Sequence, residues 1–470
     1  MQNSSRGLQS LFLALLVFLS AASYVLLVTH QRLDVNDESW LYYTAHRVGA
    51  GQVPYRDFHL MTTPAAPYLF ASFFRFGGET LDVAKLALAA GVGLIAVAVF
   101  LLSSTVAGPT LGMAIALTSV LSLTFNTYTP YALLFGLAAL VLCVRPSNKA
   151  TAFAAGVACG VSFLFKQNAG VFFLAAALYT TGSVWALAGF ATVAGMFGLW
   201  LFSYGALQQF VEQAVFGLTP ILTDYSAPSF SLTVAAFLVF YASLAWLAIA
   251  HWRNTRDSRL KAVIAFSTAA SLLAFPLDVR HLIYLAPFAA LLFSWVVNSG
   301  VLGAAKPAYV LIALVLVYSL AAVPAPDTRS YEYKLAVFPA GSFWTTKAVE
   351  DELTFLNSVM LESNGSVFIE SMPSAYFLTR TENPLKIDFI VPPNGKPGDV
   401  KEAIRDLQDK RVQAVVLRKN RSYTAFYSRI GWQELQYFVE RNYVLAYEFK
   451  NWMLYVDPRL VSSITVAIRD

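Results

Sequence analysis

Long apolar runs alternate with short polar stretches over the first two thirds of the chain. The first run, Leu8–Val28, has 21 residues and follows a single basic residue, Arg6. The core of a signal peptide would have about 7–15 residues, whereas about 20 apolar residues span a bilayer. We therefore predict a retained transmembrane helix whose N-terminus is cytoplasmic.

Ten further apolar runs predict membrane helices. They lie at roughly 80–103, 109–124, 129–145, 150–165, 168–183, 184–206, 230–250, 261–277, 279–298 and 306–323. Residues 64–76 are apolar too, but this short segment with two prolines is more typical of an interfacial or re-entrant segment than of a span. The pattern thus predicts 11–13 transmembrane helices.

Basic residues set the predicted orientation. The most basic short loop holds four cations, Arg253, Arg256, Arg259 and Lys261. The helix count places this loop on the cytoplasmic side, in agreement with the positive-inside rule. The acidic loops 29–63 and 207–229 then lie outside, and so do residues 325–470. We expect an integral protein of the plasma membrane, the inner membrane of a bacterium.

Composition separates the last third of the chain from the rest. The chain is 57% hydrophobic and 13% charged. A typical soluble domain is about 45–50% apolar and about 25% charged. Residues 325–470 hold 36 of the 61 charged residues, 18 of each sign. We predict a membrane domain over 1–324 and a soluble extracytoplasmic domain over 325–470. The net charge of +5 belongs to the membrane part, so no nucleic-acid partner is expected.

The C-terminal region has the pattern of an α/β domain. Strands are predicted at Ser366–Ser371, Val412–Leu417, Tyr443–Phe449 and Trp452–Val456, and helices at Val400–Leu407 and Trp432–Arg441. No glycine-rich phosphate loop is found there. The predicted fold class is therefore mostly α, a polytopic membrane helix bundle with a small α/β extracytoplasmic C-terminal domain.

The first outer loop carries the main candidate chemistry. It contains four of the ten acids of the membrane part, Asp34, Asp37, Glu38 and Asp57. Trp40–Tyr43 and Val48 predict a short amphipathic helix at the membrane interface, beginning at Asp37. An acid at a helix N-terminus is often only a cap, and this alternative to a catalytic role stays open at this point.

The order of motifs resembles the GT-C superfamily of integral-membrane glycosyltransferases. Within it, the chain is most similar to bacterial relatives of protein O-mannosyltransferases and aminoarabinose–lipid A transferases. The matching motifs are Asp37-Glu38, Tyr42, Gly51–Phe58, Pro64–Pro67, Phe76-Gly77, Lys166-Gln167 and Asp278–Pro287. The chain departs from the family at Thr80–Asp82, where a basic residue is usual.

This resemblance implies a GT-C fold and the transfer of a sugar from a polyprenyl phosphate to a hydroxyl of a glycan, lipid or protein outside the membrane. It implies an inverting single displacement with Asp37 as base and Glu38 as its helper. Cations for the donor phosphate are then Lys166, Arg56, Arg280 and His281. Residues expected in the acceptor and substrate cleft are Tyr42, Tyr55, Asp57 and Tyr284. Arg47 is a further cation of the outer loop.

No cofactor is expected, and a divalent metal is possible without being expected, because the histidines lack metal-ligand spacing. Cys143 and Cys159 lie in apolar runs, where core packing is their ordinary role. A transporter or lipid flippase is the alternative function, although the internal repeats typical of transporters are not found. A membrane scaffold with a soluble binding domain is a third possibility, and it leaves the Asp37-Glu38 loop unexplained.

Overall fold

The computed structural model describes most of the chain. The described residues are 2–30, 32–121, 123, 127–145, 148–216, 232–273, 283–300, 302–303, 333–363, 366–370, 372–388, 397–410, 412–419 and 431–461. They form two compact units. The helical unit comprises Met1–His30, Lys85–Trp200 and Ala227–Pro326, and the mixed unit comprises Gln31–Ala84, Leu201–Ser226 and Asp327–Asp470. The predicted domain boundary at 324/325 stays a prediction.

Ten helices make up most of the described part of the helical unit. They are α1 (Gln2–Thr29), α4 (Leu81–Ala107), α5 (Pro109–Ser119), α6 (Tyr128–Cys143), α7 (Lys149–Phe165), α8 (Gln167–Thr181), α9 (Val184–Ser203), α11 (Leu232–Thr255), α12 (Ser258–Leu273) and α13 (Ala286–Asn298), with a 3-10 turn at Ile283–Leu285. Each predicted run that falls on described residues corresponds to one of them.

Helix length distinguishes two groups. Four described helices are long and apolar enough to cross a membrane, over Leu8–Thr29, Leu81–Ala107, Val184–Ser203 and Ala235–Thr255. The apolar helices α5, α6, α7 and α13 are shorter, at 10–17 residues. The predicted run 306–323 lies outside the described residues. The protein is therefore an integral membrane protein, while 11–13 spans stays the predicted count.

Small residues let the membrane helices approach closely. A methyl group at Gly156 of α7 would lie 1.9 Å from the Ala186 carbonyl oxygen of α9. At Gly189 of α9 it would lie 2.1 Å from the Phe153 carbonyl oxygen of α7. Apolar side chains gain little by leaving lipid, so close backbone contact stabilises such a pair. Cys143 and Cys159 are buried free thiols.

The mixed unit contains short helices and two sheets. Its elements are α2 (Asp37–Gly49), α3 (Ala65–Gly77), α10 (Leu207–Phe210) with a π-helical turn at Val211–Val215, β1 (Tyr333–Phe338), β2 (Gly341–Thr346), α14 (Lys347–Glu362), β3 (Val367–Ile369), α15 (Pro373–Thr379), α16 (Pro397–Lys410), β4 (Ala414–Arg418), α17 (Trp432–Asn442), β5 (Val444–Phe449) and β6 (Trp452–Val456). With 13 residues, α3 is too short to span a bilayer alone.

The four-stranded sheet has the order β3-β4-β6-β5. β3 pairs in parallel with β4, and the other neighbours are antiparallel. Helices α16 and α17 bury their apolar faces against it, with Trp432 and Leu435 in a core that also contains Val415 and Tyr455. The buried Glu370 carboxylate accepts hydrogen bonds from the Trp432 indole at 3.1 Å and the Arg418 amide at 2.9 Å. These contacts hold α17 on the sheet.

The six predicted elements of the C-terminal region all exist, with ends shifted by a few residues. The sequence pattern missed the β1–β2 hairpin, α14 and α15. Thr346 caps α14 by accepting the Val349 amide hydrogen. The α/β character of this region is confirmed.

Candidate active site

Helix α2 begins with a cap that uses Asp34. The Asp34 carboxylate accepts the backbone N–H groups of Asn36 at 2.8 Å and Asp37 at 2.9 Å. In return, the Glu38 carboxylate accepts the Asp34 N–H at 3.1 Å. Such reciprocal bonds satisfy donors that the first helical turn leaves without partners. Asp34 thus fills the capping role that the sequence left open for Asp37.

The two acids of the Asp37-Glu38 pair have opposite surroundings. Glu38 is buried and takes part in the cap, whereas the Asp37 side chain is exposed. The side chain of Asp37 is therefore open to solvent, unlike that of Glu38. An exposed carboxylate at the start of α2 can be reached by a substrate.

The predicted short helix is present as α2 and most of it is enclosed by protein, while its place at the membrane interface stays a prediction. Trp40, Leu41, Tyr42 and Tyr43 are all buried. The Tyr42 ring lies 5.4 Å from the ring of Phe377 and 5.5 Å from that of Phe70. It therefore belongs to an aromatic core of the mixed unit, and its predicted place in a substrate cleft stays a prediction.

A buried ion pair anchors the end of α2. Arg47 donates to Asp388 at 2.8 Å, to the Leu385 carbonyl oxygen at 3.2 Å and to Gln52 at 2.7 Å. The Arg47 and Asp388 side chains are 3% and 2% exposed. Burial raises the pKa of Asp388, while the neighbouring guanidinium acts to lower it. Arg47 is committed to this pair and is not an accessible cation of the outer loop.

The Gly51–Phe58 stretch folds into a tight loop rather than a simple linker. Tyr55 adopts φ +70°, a conformation that tyrosine rarely takes. Its N–H donates to the Phe58 carbonyl oxygen at 2.8 Å and its hydroxyl to the Thr62 carbonyl oxygen at 2.6 Å. The Tyr55 side chain is buried in this loop, and its predicted place in a substrate cleft stays a prediction.

Arg56 and Asp57 form an exposed bidentate pair at 2.9 and 2.8 Å. Asp57 also accepts the Val53 N–H at 2.7 Å. The hydrogen bond from Arg56 is the main reason why the pKa of Asp57 lies below its usual value. Both side chains remain partly accessible, at 45% for Arg56 and 32% for Asp57.

Lys166 and Tyr284 meet at the N-terminus of α6 in the helical unit. The Tyr284 hydroxyl lies 3.0 Å from Thr127 Oγ1, and Lys166 Nζ donates to Thr129 at 3.4 Å. Lys166 Nζ also lies 5.6 Å from the centre of the Tyr128 ring. A helix N-terminus with a neighbouring lysine is a favourable environment for an anion. The predicted donor-phosphate residues Arg280 and His281 lie outside the described residues.

Two polar contacts had no clear signal in the sequence. His59 Nε2 lies 2.9 Å from Glu402 of α16, and His46 Nδ1 lies 2.7 Å from Glu79. The second pair borders a cleft of about 600 Å³ between α2 and α3. Over the described ranges, no group of three or more His, Cys, Asp or Glu side chains could hold a metal ion. Metal independence stays a prediction.

Comparison with known proteins gives a clear result only at the level of structure. No protein-family model matches the sequence, and no curated protein matches it. ArnT from Cupriavidus metallidurans, in a crystal structure bound to undecaprenyl phosphate, matches 97% of this chain and 99% of its own, with a TM-score of 0.54 and 11% identity. The chain has the GT-C fold.

A second GT-C protein matches in two crystal structures. The oligosaccharyltransferase of Archaeoglobus fulgidus, in complex with Zn and sulfate, matches 94% of this chain and 73% of its own, with a TM-score of 0.53 and 13% identity. The apo form of the same protein matches 87% of this chain and 69% of its own, with a TM-score of 0.52 and 11% identity. Likeness at such low identity shows the fold alone. The predicted fold class and the GT-C resemblance are thereby confirmed as statements about the fold.

Proposed function

We propose that this protein is a membrane glycosyltransferase that moves a sugar from a polyprenyl phosphate to an acceptor hydroxyl. The observation that carries the proposal is the GT-C fold, which the chain shares over 97% of its length with a protein bound to undecaprenyl phosphate. The acceptor is a glycan, lipid or protein on the extracytoplasmic face. In this proposal the protein lies in the plasma membrane, with its N-terminus cytoplasmic and residues 325–470 outside.

Asp37 is the proposed base. A sugar hydroxyl is a weak nucleophile. A positioned carboxylate that accepts its proton typically raises the rate of its reaction 10²–10⁴-fold. Exposure at the start of α2 supports this role for Asp37, whereas Glu38 is engaged in the cap and helps by fixing the helix start. Attack from the face opposite the phosphate gives inversion at the anomeric carbon.

The leaving group is the phosphate of the lipid carrier, whose growing negative charge needs a cation. Lys166 at the N-terminus of α6 is the best supported donor-phosphate residue, because its described contacts are neutral groups. Arg280 and His281 remain proposed partners of the phosphate. Arg56 and Asp57 are proposed to contact substrate at the exposed loop, and Tyr284 to line the cleft beside Lys166.

The test measures transfer by the full protein in lipid vesicles, with a panel of radiolabelled polyprenyl-phosphate sugars. We expect wild type to release sugar from at least one donor, with and without chelator. Asp37→Asn should lose 10²–10⁴-fold in rate. Asp82→Asn is the matched control, since Asp82 is also an acid in the first turn of a helix and is exposed.

The outcomes separate the proposals. No turnover of any donor by folded wild type would contradict the transferase proposal and favour a transporter or flippase. Turnover by wild type with equal activity of Asp37→Asn would contradict only the assignment of the base. If wild type is active without chelator and inactive with it, metal independence would be contradicted.

A further inference from the structure

The helical unit is strongly basic for a membrane part. Its sequence ranges contain 11 Lys or Arg residues and two acids, Asp257 and Asp278. Six of the cations lie at one end of the described helices, where α7 and α12 begin and α6, α8 and α11 end. They are Arg145, Lys149, Arg253, Arg256, Arg259 and Lys261. Asp257 is the acid that accompanies them in the described part of this end.

An apolar groove starts at this basic end and runs along α8 and α12. Its volume is about 360 Å³, within the range of ligand sites. Small side chains make the groove, because Ala175 and Ala176 of α8 and Ala265 and Ala269 of α12 leave space between the larger residues. We call this feature the α8–α12 groove.

The dimensions of the α8–α12 groove suit one lipid chain. It extends from Lys261 to Leu272 along α12, which is about 16 Å at the helical rise per residue. Half of a bilayer hydrocarbon core is about 15 Å. Tyr179 and Leu272 on its rim are 58% and 53% exposed, so the groove is open on its outer side. An acyl chain of one leaflet can therefore lie along it.

Cations and aromatic rings form the mouth of the groove. Lys261 Nζ lies 4.3 Å from the centre of the Tyr179 ring and donates to the Tyr179 carbonyl oxygen at 3.0 Å. The Arg256 guanidinium lies 5.4 Å from the centre of the Trp252 ring. Tryptophan and tyrosine favour the depth of lipid headgroups. The charges are thus held at the level where a lipid phosphate would lie.

We propose that the α8–α12 groove binds an anionic phospholipid of the bilayer, with one acyl chain along the groove and the phosphate beside Lys261 and Arg256. Basic pockets between transmembrane helices are suited to anionic headgroups. A zwitterionic headgroup would bring its own cation next to these two, and a polar ligand would leave the apolar groove unfilled. This site lies in the helical unit and is independent of the proposed transferase chemistry.

The test is native mass spectrometry of the full protein in detergent, with palmitoyl-oleoyl phosphatidylglycerol and the phosphatidylcholine of the same chains. We expect at least fivefold stronger binding of phosphatidylglycerol, since each cation near an anionic headgroup contributes about fivefold. The double variant Arg256→Gln/Lys261→Gln should bind both lipids equally. Lys149→Gln is the matched control, because Lys149 is at the same end but outside the groove.

A third variant tests the chain-binding part of the site. Ala265→Phe fills the groove, so it should weaken the binding of both lipids. The melting temperature of this variant in lipid-free detergent should stay near that of wild type. Equal binding of both lipids by wild type would overturn the proposal. So would an equal loss in Lys149→Gln and in the double variant, which would indicate a diffuse surface charge, with no site in the groove.

Discussion

Arg47 in the mixed unit and Lys166 in the helical unit are both buried basic side chains, but their surroundings differ. Arg47 in the mixed unit is 3% exposed and faces the Asp388 carboxylate at 2.8 Å. Lys166 in the helical unit is 9% exposed, and its contacts within the described residues are the Thr129 hydroxyl and the Tyr128 ring. A buried cation that is paired with a carboxylate is already neutralised by the protein itself. One held by neutral groups retains its attraction for an anion from outside.

This difference gives Arg47 a structural role and supports the proposed binding role of Lys166. Taking a charge out of water costs several kcal/mol, which a buried partner offsets only when the geometry is good. Additional bonds to Gln52 and Asn383 help the Arg47–Asp388 pair to meet that condition, although Asp388 Oδ2 is buried without a hydrogen-bond partner among the described residues. For Lys166, the bound donor phosphate would offset the cost of taking the ammonium group out of water.

The largest expected effect is on stability. Arg47→Met leaves the Asp388 carboxyl buried without its guanidinium, so the free energy of unfolding of the purified protein should fall by about 3–5 kcal/mol. Chemical denaturation in detergent measures it. Arg56→Gln is the matched control, since it removes an exposed pair and should cost at most about 1 kcal/mol. Equal losses in the two variants would remove the distinction between buried and exposed pairs.

The second prediction concerns Lys166. Lys166→Met should lower the transfer rate by about 10²-fold, because one stabilising contact to the leaving phosphate is lost. Its stability should not fall, since a desolvated charge is replaced by an apolar side chain of similar length. Transfer assays and denaturation on the same preparation test both points. A large loss of stability at unchanged transfer rate would give Lys166 the structural role assigned here to Arg47.

A smaller effect is expected at Tyr284. Tyr284→Phe removes the hydrogen bond of its hydroxyl with Thr127 at the start of α6. A hydrogen bond of this kind contributes about 0.5–1.5 kcal/mol, and denaturation of the variant should show a loss in this range. No loss would mean that Thr127 finds another partner. Tyr68→Phe in the mixed unit is a control for removing an exposed tyrosine hydroxyl.

The smallest effect depends on pH. The hydrogen bond with His59 holds the pKa of Glu402 below its usual value. A lowered carboxyl pKa contributes stability above the unfolded value of about 4.3, and this contribution is lost as the pH falls through the folded pKa. Glu402→Gln should therefore be less stable than wild type by under about 1 kcal/mol at pH 7. The difference should shrink as the pH falls below about 4.3 and vanish below the folded pKa of Glu402, and a constant difference would assign it to packing.

Elements with a strong local pattern were predictable from the sequence. β5 and β6 were found because two strand-like runs flank Lys450-Asn451, and α17 because its apolar residues have helical spacing. β1, β2 and α14 were missed. In the hairpin, Phe343 is buried while Leu335, Val337 and Trp344 are exposed, so its apolar residues do not separate into one inner face.

The candidate site shows the same limit. Asp37 and Lys166 could be found because a charge beside or within a long apolar run is conspicuous. The enclosure of Tyr42 and Tyr55 could not be predicted from the sequence, because an aromatic residue near a membrane is equally suited to a core and to an interface. Phe70 and Phe377, which enclose Tyr42, are far apart in the sequence.

The sequence by itself determined the membrane character, the position of the apolar helices and the α/β nature of the last third, because these follow from composition and from patterns within about twenty residues. Only the tertiary structure decided which charges are partnered. Arg47 and Asp388 are separated by 341 positions, and no local pattern joins them. Burial and pairing depend on which distant segments meet, and those contacts separate a structural charge from one available to a ligand.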